Sequence, residues 1–163
     1  MRAADFEKLL RVLLDGEVEF ILVGGVAANL HGSARATFDV DVVYRRTADN
    51  IARLVAALSP LEPYLRGAPA GLPFRLDTDT VMAGLNFTLE TAAGDLDLLG
   101  EVAGGGTYEE LLPGTIVFDL FGRACRCVGL RQLLALKRAA GRPRDREAIA
   151  ELEVLLEEQQ QHD

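Results

Sequence analysis

Two carboxylates stand two residues apart in the chain, at Asp39 and Asp41, within a run that is otherwise apolar. In an extended strand alternate side chains point to the same face, so both carboxylates are predicted to lie close together. The opposite face is predicted to be buried and comprises Phe38, Val40, Val42 and Tyr44. Like charges at this separation raise the pKa of at least one group unless a divalent cation neutralises both. The pattern therefore predicts a metal site.

A pair of glycines, Gly24 and Gly25, follows the apolar run 20–23 and precedes a short helical segment. We call this pair the glycine corner. Glycine allows a sharp turn there and leaves bare backbone N–H groups at the start of a helix. Unpaired amides and the helix dipole both favour an anion, so the corner is predicted to bind phosphate.

The glycine corner and the aspartates are joined by His31-Gly32-Ser33-Ala34-Arg35-Ala36-Thr37-Phe38-Asp39-Val40-Asp41. This arrangement resembles the nucleotidyltransferase superfamily, whose fold is shared by DNA polymerase β and the minimal nucleotidyltransferases. The Arg-x-Thr-x-Asp-x-Asp segment is similar to that of small prokaryotic members related to the AbiEii toxins. The resemblance implies an α/β (α+β) fold, with a mixed β-sheet flanked by helices and further helices at the C-terminus.

The superfamily places a third carboxylate on a later strand, next to the Asp-x-Asp strand. Two candidates, Asp95 and Asp97, share one face of the predicted strand 95–100. The resemblance favours Asp97, which precedes an apolar-apolar-Gly ending, as metal ligand or general base, beside Asp39 and Asp41 as metal ligands. Asp95 lies nearer the turn, and its alternative interpretation is a solvated residue.

Two cations are further candidates for the triphosphate. The resemblance implies that Arg35 and Lys137 offset phosphate charge, and that Asp145 braces a turn as N-cap of the last helix. The alternatives are an ion pair that holds the loop for Arg35, and a solvated helix end for Lys137. For His31 a capping or structural role is preferred to catalysis.

The implied activity is transfer of a nucleoside monophosphate from a nucleoside triphosphate to an acceptor hydroxyl, with Mg²⁺ or Mn²⁺ as cofactor. Family members modify proteins, RNA or small molecules, and some belong to toxin–antitoxin pairs, so the acceptor stays open and a protein partner is possible. The alternative is a catalytically inactive relative that acts as a binding or antitoxin module.

Length and composition predict one domain, 1–163, in which 129–163 form a C-terminal helical extension. The formal charge of -8 argues against general DNA binding, which needs a basic surface. Cys125 and Cys127 are predicted to be small, semi-buried residues in a reducing compartment. The chain shows neither a signal-peptide pattern nor an apolar run long enough to span a bilayer, so a cytoplasmic protein without a membrane segment is predicted.

Hydrophobic periodicity and turn signals predict the remaining elements. Helices are predicted at 3–15, 25–31, 49–59, 77–84, 107–112, 130–140 and 143–160, and strands at 19–23, 86–91, 95–100, 115–121 and 124–128, besides the strand of Asp39 and Asp41. The Pro- and Gly-rich segment 59–73 is predicted to be mainly loop, with one helical turn at Tyr64.

Overall fold

A mixed seven-stranded sheet with helices packed against it forms the framework of the protein, as described by a computed structural model covering residues 5–162. The helices are α1 (Phe6–Asp15), α2 (Gly24–Leu30), α3 (Ala48–Leu58), α4 (Thr78–Ala83), α5 (Tyr108–Leu111), α6 (Leu130–Ala140) and α7 (Arg146–Gln161). The strands are β1 (Phe20–Val23), β2 (Asp39–Tyr44), β3 (Tyr64–Leu65), β4 (Phe87–Thr91), β5 (Gly94–Leu99), β6 (Glu101–Val102), β7 (Gly106–Thr107), β8 (Thr115–Leu120) and β9 (Arg123–Val128).

The strand order in the main sheet is β3-β4-β5-β2-β1-β9-β8, while β6 and β7 form a separate ribbon. Two neighbouring pairs, β2 with β5 and β1 with β9, are parallel, and the other neighbours are antiparallel. The predicted mixed sheet with flanking and C-terminal helices is therefore confirmed. The prediction of a single domain with an extension from 129 stays a prediction.

The apolar stripes of the helices meet the buried residues of the central strands. All four residues of β1 are buried, and α1 contributes Leu9, Leu10, Leu13 and Leu14 from one side. Local capping sets the helix ends: Thr47 begins α3, Asp77 begins α4, and Gly141 ends α6 in the left-handed conformation. Residues 3 and 4 of the first predicted helix lie outside the described residues, and Asp5 is the N-cap of α1.

Three expectations about local structure need correction. Tyr64 lies in β3, not in a helical turn, because Tyr64 and Leu65 pair with β4. Phe38 is not buried but 80% exposed, because it precedes the first residue of β2 and lies outside the strand's alternation. The last helix begins at Arg146, after a 3-10 turn at Pro143–Asp145. Asp145 is its N-cap residue, as expected, but the Asp145 side chain makes no capping hydrogen bond.

Cys125 and Cys127 are free and fully buried in β9. Burial raises the pKa of the thiols to about 11 and about 12 respectively, so both are protonated and unreactive near neutral pH. Within residues 5–162, the helices are too short or too polar to cross a bilayer.

Candidate active site

Parallel pairing of β2 and β5 brings four carboxylates to one face of the sheet. In the register of these strands Asp39 is the partner of Asp95, and Asp41 is the partner of Asp97. We call this surface the carboxylate face. Oxygen atoms of Asp39, Asp41 and Asp97 lie within 4.8 Å of one another, and we call these three residues the carboxylate triad. The structure thus places Asp97 in the group with the Asp-x-Asp pair, while Asp95 contributes no oxygen to it.

Two carboxylates of the triad, Asp39 and Asp41, are held in an environment that opposes their ionisation. Burial is the main cause that raises the pKa of Asp41 to about 8, and a hydrogen bond with Asp97 and the charge of Asp39 add to it. The charge of Lys137 opposes this shift. The pKa of Asp39 is also raised, first by burial and then by the charge of Asp97. Burial therefore makes ionisation of Asp39 and Asp41 unfavourable, and the neighbouring acids add to this effect.

The glycine corner lies directly against the triad. The backbone at Gly24 has φ of +72°, which glycine tolerates far better than other residues, and a Cβ there would overlap the carboxylate of Asp41. A Cβ on Gly25 would overlap the hydroxyl of Thr37. Both positions thus need glycine for the backbone to pass this close to Asp41 and Thr37.

A cavity of about 720 Å³ opens in front of the triad, between the strands and the helices α6 and α7. Its wall includes every residue that the sequence assigned to the site: Gly24, Gly25, Arg35, Asp39, Asp41, Asp97 and Lys137. Phe38 also lines this cavity, at the position where its ring is exposed. Residues far apart in the chain are therefore gathered around one space.

The two predicted phosphate ligands are each paired with an acid. Arg35 Nη1 lies 3.5 Å from Glu147 Oε2, and Lys137 Nζ lies 3.5 Å from Asp145 Oδ1. Asp145 is buried, which would raise its pKa, but Arg142 at 2.7 Å and Lys137 hold the pKa below its ordinary value. Asp145 thus braces the turn before α7 through its ion pairs, and it positions Lys137 on the cavity wall.

His31 has a structural position outside this arrangement. Its Nε2 is 2.8 Å from the carbonyl oxygen of Val128, and its ring packs edge-on against Phe118. It is also the C-cap residue of α2. These contacts agree with the structural role preferred from the sequence.

One charged residue of the site, Arg66, was missed by the sequence interpretation. Its Nη2 lies 2.8 Å from Asp97 Oδ1, and its Nε lies 3.3 Å from Asp95 Oδ2. Arg66 follows β3 inside the Pro- and Gly-rich segment, where no motif draws attention to it. The sequence held only an indirect sign of Arg66, namely that four carboxylates on one face of a sheet are stabilised by a nearby cation.

The donor set of the triad fits a hard divalent cation. Mg²⁺ and Mn²⁺ prefer carboxylate oxygens, and three such oxygens converge here from rigid strands. A cation would also favour the ionised forms of Asp39 and Asp41, whose pKa values are raised first by burial and then by the neighbouring acids.

Comparison with known proteins gives a likeness in structure only. No family model matches the chain, and no curated protein sequence matches it. The crystal structure of ANT(2'')-Ia in complex with adenylyl-2''-tobramycin is similar at a TM-score of 0.54 and 15% identity, covering 92% of this chain and 91% of that one. The solution structure of the antibiotic-resistance factor ANT(2'')-Ia is similar at a TM-score of 0.51 and 16% identity, covering 97% and 96%.

At these identities the likeness concerns the fold and extends over nearly the whole of both chains. ANT(2'')-Ia is a nucleotidyltransferase. The relation to AbiEii-type proteins stays a prediction. Sheet, helices and overall architecture thus agree with the expectation drawn from the sequence: the chain has a nucleotidyltransferase fold.

Proposed function

We propose that the protein transfers a nucleoside monophosphate from a nucleoside triphosphate to an acceptor hydroxyl, in a reaction that requires Mg²⁺ or Mn²⁺. The observation that carries this proposal is the convergence of the triad oxygens within 4.8 Å beside the glycine corner. Such a reaction needs carboxylates that can hold a metal ion. It also needs bare backbone that a phosphate group can approach closely.

Asp39, Asp41 and Asp97 would hold the metal. When bound, the ion supplies Lewis-acid stabilisation of the charge that develops on the transferred phosphoryl group. The strands β2 and β5 fix the carboxylates in place, because the side chains between them are buried in the core on the other face. Asp97 is also the candidate base for the acceptor hydroxyl, since it lines the cavity and 23% of its side chain is exposed.

The remaining assigned residues would bind the triphosphate. Gly24 and Gly25 let the backbone approach the triad without a side chain in between. Arg35 and Lys137 line the same cavity and would offset phosphate charge there. The buried partner Asp145 holds the Lys137 side chain on the cavity wall, so little reorganisation of Lys137 is needed on binding.

For the acceptor, a small molecule is the best supported of the three classes. One of the similar structures holds adenylyl-2''-tobramycin, which combines an adenylyl group with a small molecule. The formal charge of -8 disfavours a polyanionic acceptor such as RNA. An adenylyl group also favours ATP as the donor. A protein acceptor or a toxin–antitoxin partner stays a prediction from the sequence.

Calorimetric titration with a non-hydrolysable nucleoside triphosphate tests this function without knowledge of the acceptor. The wild type is expected to bind in Mg²⁺ and not in EDTA, and Asp41→Asn is expected to weaken binding by at least about 100-fold, as loss of a metal ligand does. Glu90→Gln is the matched control, because Glu90 is exposed on β4, where it pairs with Asp95 in register. Its replacement by glutamine removes the same charge at a position outside the triad.

Two results would refute the proposal. One is metal-independent binding of the nucleotide by the wild type. The other is an Asp41→Asn protein that melts cooperatively and still binds nucleotide as tightly as Glu90→Gln. Binding without transfer to any hydroxyl compound would instead support the catalytically inactive alternative.

A further inference from the structure

A guanidinium group lies among the carboxylates of the carboxylate face. Arg66 is fixed there by the sheet itself, because its backbone N–H donates to the carbonyl of Thr88 at 3.0 Å. Its Nη2 donates to the carbonyl of Leu89 at 2.9 Å. Both anchors are neutral groups of β4, so the position of the guanidinium does not depend on the acids alone.

From this position Arg66 reaches three carboxylates. Nη2 donates to Asp97 Oδ1 at 2.8 Å, Nε lies 3.3 Å from Asp95 Oδ2, and Nη1 lies 4.0 Å from Asp39 Oδ2. The Nε atom is buried and makes no hydrogen bond within the described part of the chain, so its contact with Asp95 is purely electrostatic.

Partial burial makes these contacts stronger than ordinary surface ion pairs. Only 26% of the Arg66 side chain is exposed, so its charge is poorly screened by solvent. Without an ion, the carboxylate face places several negative charges on rigid strands that cannot move apart. Within residues 5–162, Arg66 is the cation that lies at hydrogen-bond distance from a member of the triad.

We propose that Arg66 is the built-in counter-cation of the carboxylate triad: it stabilises the metal-free protein, engages one oxygen of Asp97, and sets the divalent-cation concentration at which the site fills. This inference rests on the proposed function, because it assumes that the triad binds a divalent cation. It assigns to Arg66 a role in metal affinity rather than in the chemical step.

A counter-cation role and a merely structural role predict opposite effects of Arg66 removal on metal binding. If Arg66 only held Asp97 in place, its removal would disorder a ligand and weaken metal binding. If its positive charge competes with the cation, removal of that charge strengthens metal binding. The metal-free protein would at the same time lose stability, because the carboxylates lose their partner.

The experiment is a calorimetric titration of Mn²⁺ alone into wild type, Arg66→Gln and Arg66→Lys, with melting curves in EDTA. Arg66→Gln is expected to bind Mn²⁺ at least about fivefold more tightly than wild type, since a nearby unit charge repels a divalent ion through a medium of low polarity. It is also expected to have a lower Tm than wild type in EDTA. Arg66→Lys keeps the charge but not the planar fork of donors, so it should bind Mn²⁺ less tightly than Arg66→Gln does.

Arg46→Gln is the matched control. Within residues 5–162, the Arg46 guanidinium donates hydrogen bonds to the carbonyl oxygens of Val81 and Met82 and to the hydroxyl of Tyr44, and to no carboxylate. Its removal therefore costs hydrogen bonds to neutral groups without changing the charge at the triad. Arg46→Gln is expected to bind Mn²⁺ with the wild-type affinity.

The outcomes separate this inference from the function on which it rests. If wild type binds Mn²⁺ and Arg66→Gln binds it equally or less tightly, the counter-cation role is overturned while the metal site stands. Tight binding by both Arg66→Gln and Arg66→Lys would overturn it as well, because charge would not be the cause. If neither wild type nor Arg66→Gln binds Mn²⁺ while both melt cooperatively, the proposed metal-dependent function itself is refuted, together with this role.

Discussion

Substituting Asp41 by asparagine should make the metal-free protein more stable at pH 8 while destroying its proposed function. The reason is the environment of this side chain. Burial, together with Asp97 and Asp39, raises the pKa of Asp41 to about 8, so ionisation of the folded protein is unfavourable. Asparagine has nearly the same shape, can still donate to Asp97, and carries no charge.

The sign of the pH dependence follows from proton binding. The pKa of this carboxyl is raised on folding from its ordinary value of 3.8 to about 8, so the folded state holds more protons than the unfolded state between these values. The contribution of Asp41 to the free energy of unfolding therefore falls as pH rises through this range. Below pH 4 the group is protonated in both states, and above about pH 8 it is ionised in both, so the penalty is complete there.

The size of the effect can be bounded from the same values. A rise from 3.8 to about 8 corresponds to about 6 kcal/mol at 1.36 kcal/mol per pKa unit. Because the site opens to solvent, we expect roughly half, or about 3 kcal/mol. For a chain of this length that amounts to a Tm difference of about 6 to 12 °C.

Thermal unfolding in EDTA at pH 5 and pH 8 measures this effect. The Tm of wild type should fall from pH 5 to pH 8, and the Tm of Asp41→Asn should fall much less. Asp119→Asn is the control, because Asp119 is exposed on β8 and its replacement by asparagine changes the net charge by the same amount. The asparagine can still accept a hydrogen bond from the N–H of Gly122. The reasoning is refuted if Asp41→Asn and Asp119→Asn show the same difference between pH 5 and pH 8.

Two further predictions concern the surroundings of the triad. Gly24→Ala should lower the Tm by several degrees and abolish nucleotide binding, because the positive φ costs about 1 kcal/mol and the new Cβ overlaps Asp41; unchanged melting and binding would show that the corner does not touch the site. Phe38→Ser should change the Tm by no more than about 2 °C, since the ring is 80% exposed, yet weaken binding of the nucleotide analogue severalfold because the ring lines the cavity. Calorimetry on a Phe38→Leu control separates a role of the aromatic ring from a general apolar one.

Much of the fold was predictable because its signals are local. The caps at Thr47, Asp77 and Gly141 are set by residues within one helical turn, and they bound helices close to the predicted ranges 49–59, 77–84 and 130–140. The hairpin of β4 and β5 follows from two alternating segments and a short turn. Signals of this kind need no knowledge of distant residues.

The errors arose where distant pairing decides the outcome. Tyr64 is extended only because β4 offers an unpaired edge to β3, and nothing within the Pro- and Gly-rich segment encodes that edge. The position of Arg66 depends on the same pairing, so the residue was missed together with the strand. Phe38 was misplaced for a different reason: alternation was extended one residue beyond the start of β2.

The choice between Asp95 and Asp97 also depended on distant structure. Both lie on the same face of β5, and alternation alone treats them equally. The parallel register decides between them, because it sets Asp97 beside Asp41 and Asp95 beside Asp39 at the outer end of β2. A one-residue change in register would turn both carboxylates away, so the triad depends on the pairing of β2 with β5.

The same features that build the triad make it unfavourable without a cation. On β2, Val40 and Val42 are fully buried on the face opposite the aspartates, so the core fixes the backbone and prevents the carboxylates from separating. Gly24 then brings uncharged backbone against Asp41 and removes water that would screen it. This rigid, poorly solvated group of acids therefore lowers the stability of the metal-free protein, as expected where a fold holds ligands ready for a metal. Arg66 and a divalent cation would both offset the negative charge of these acids, Arg66 in the metal-free protein and the divalent cation in the proposed working state.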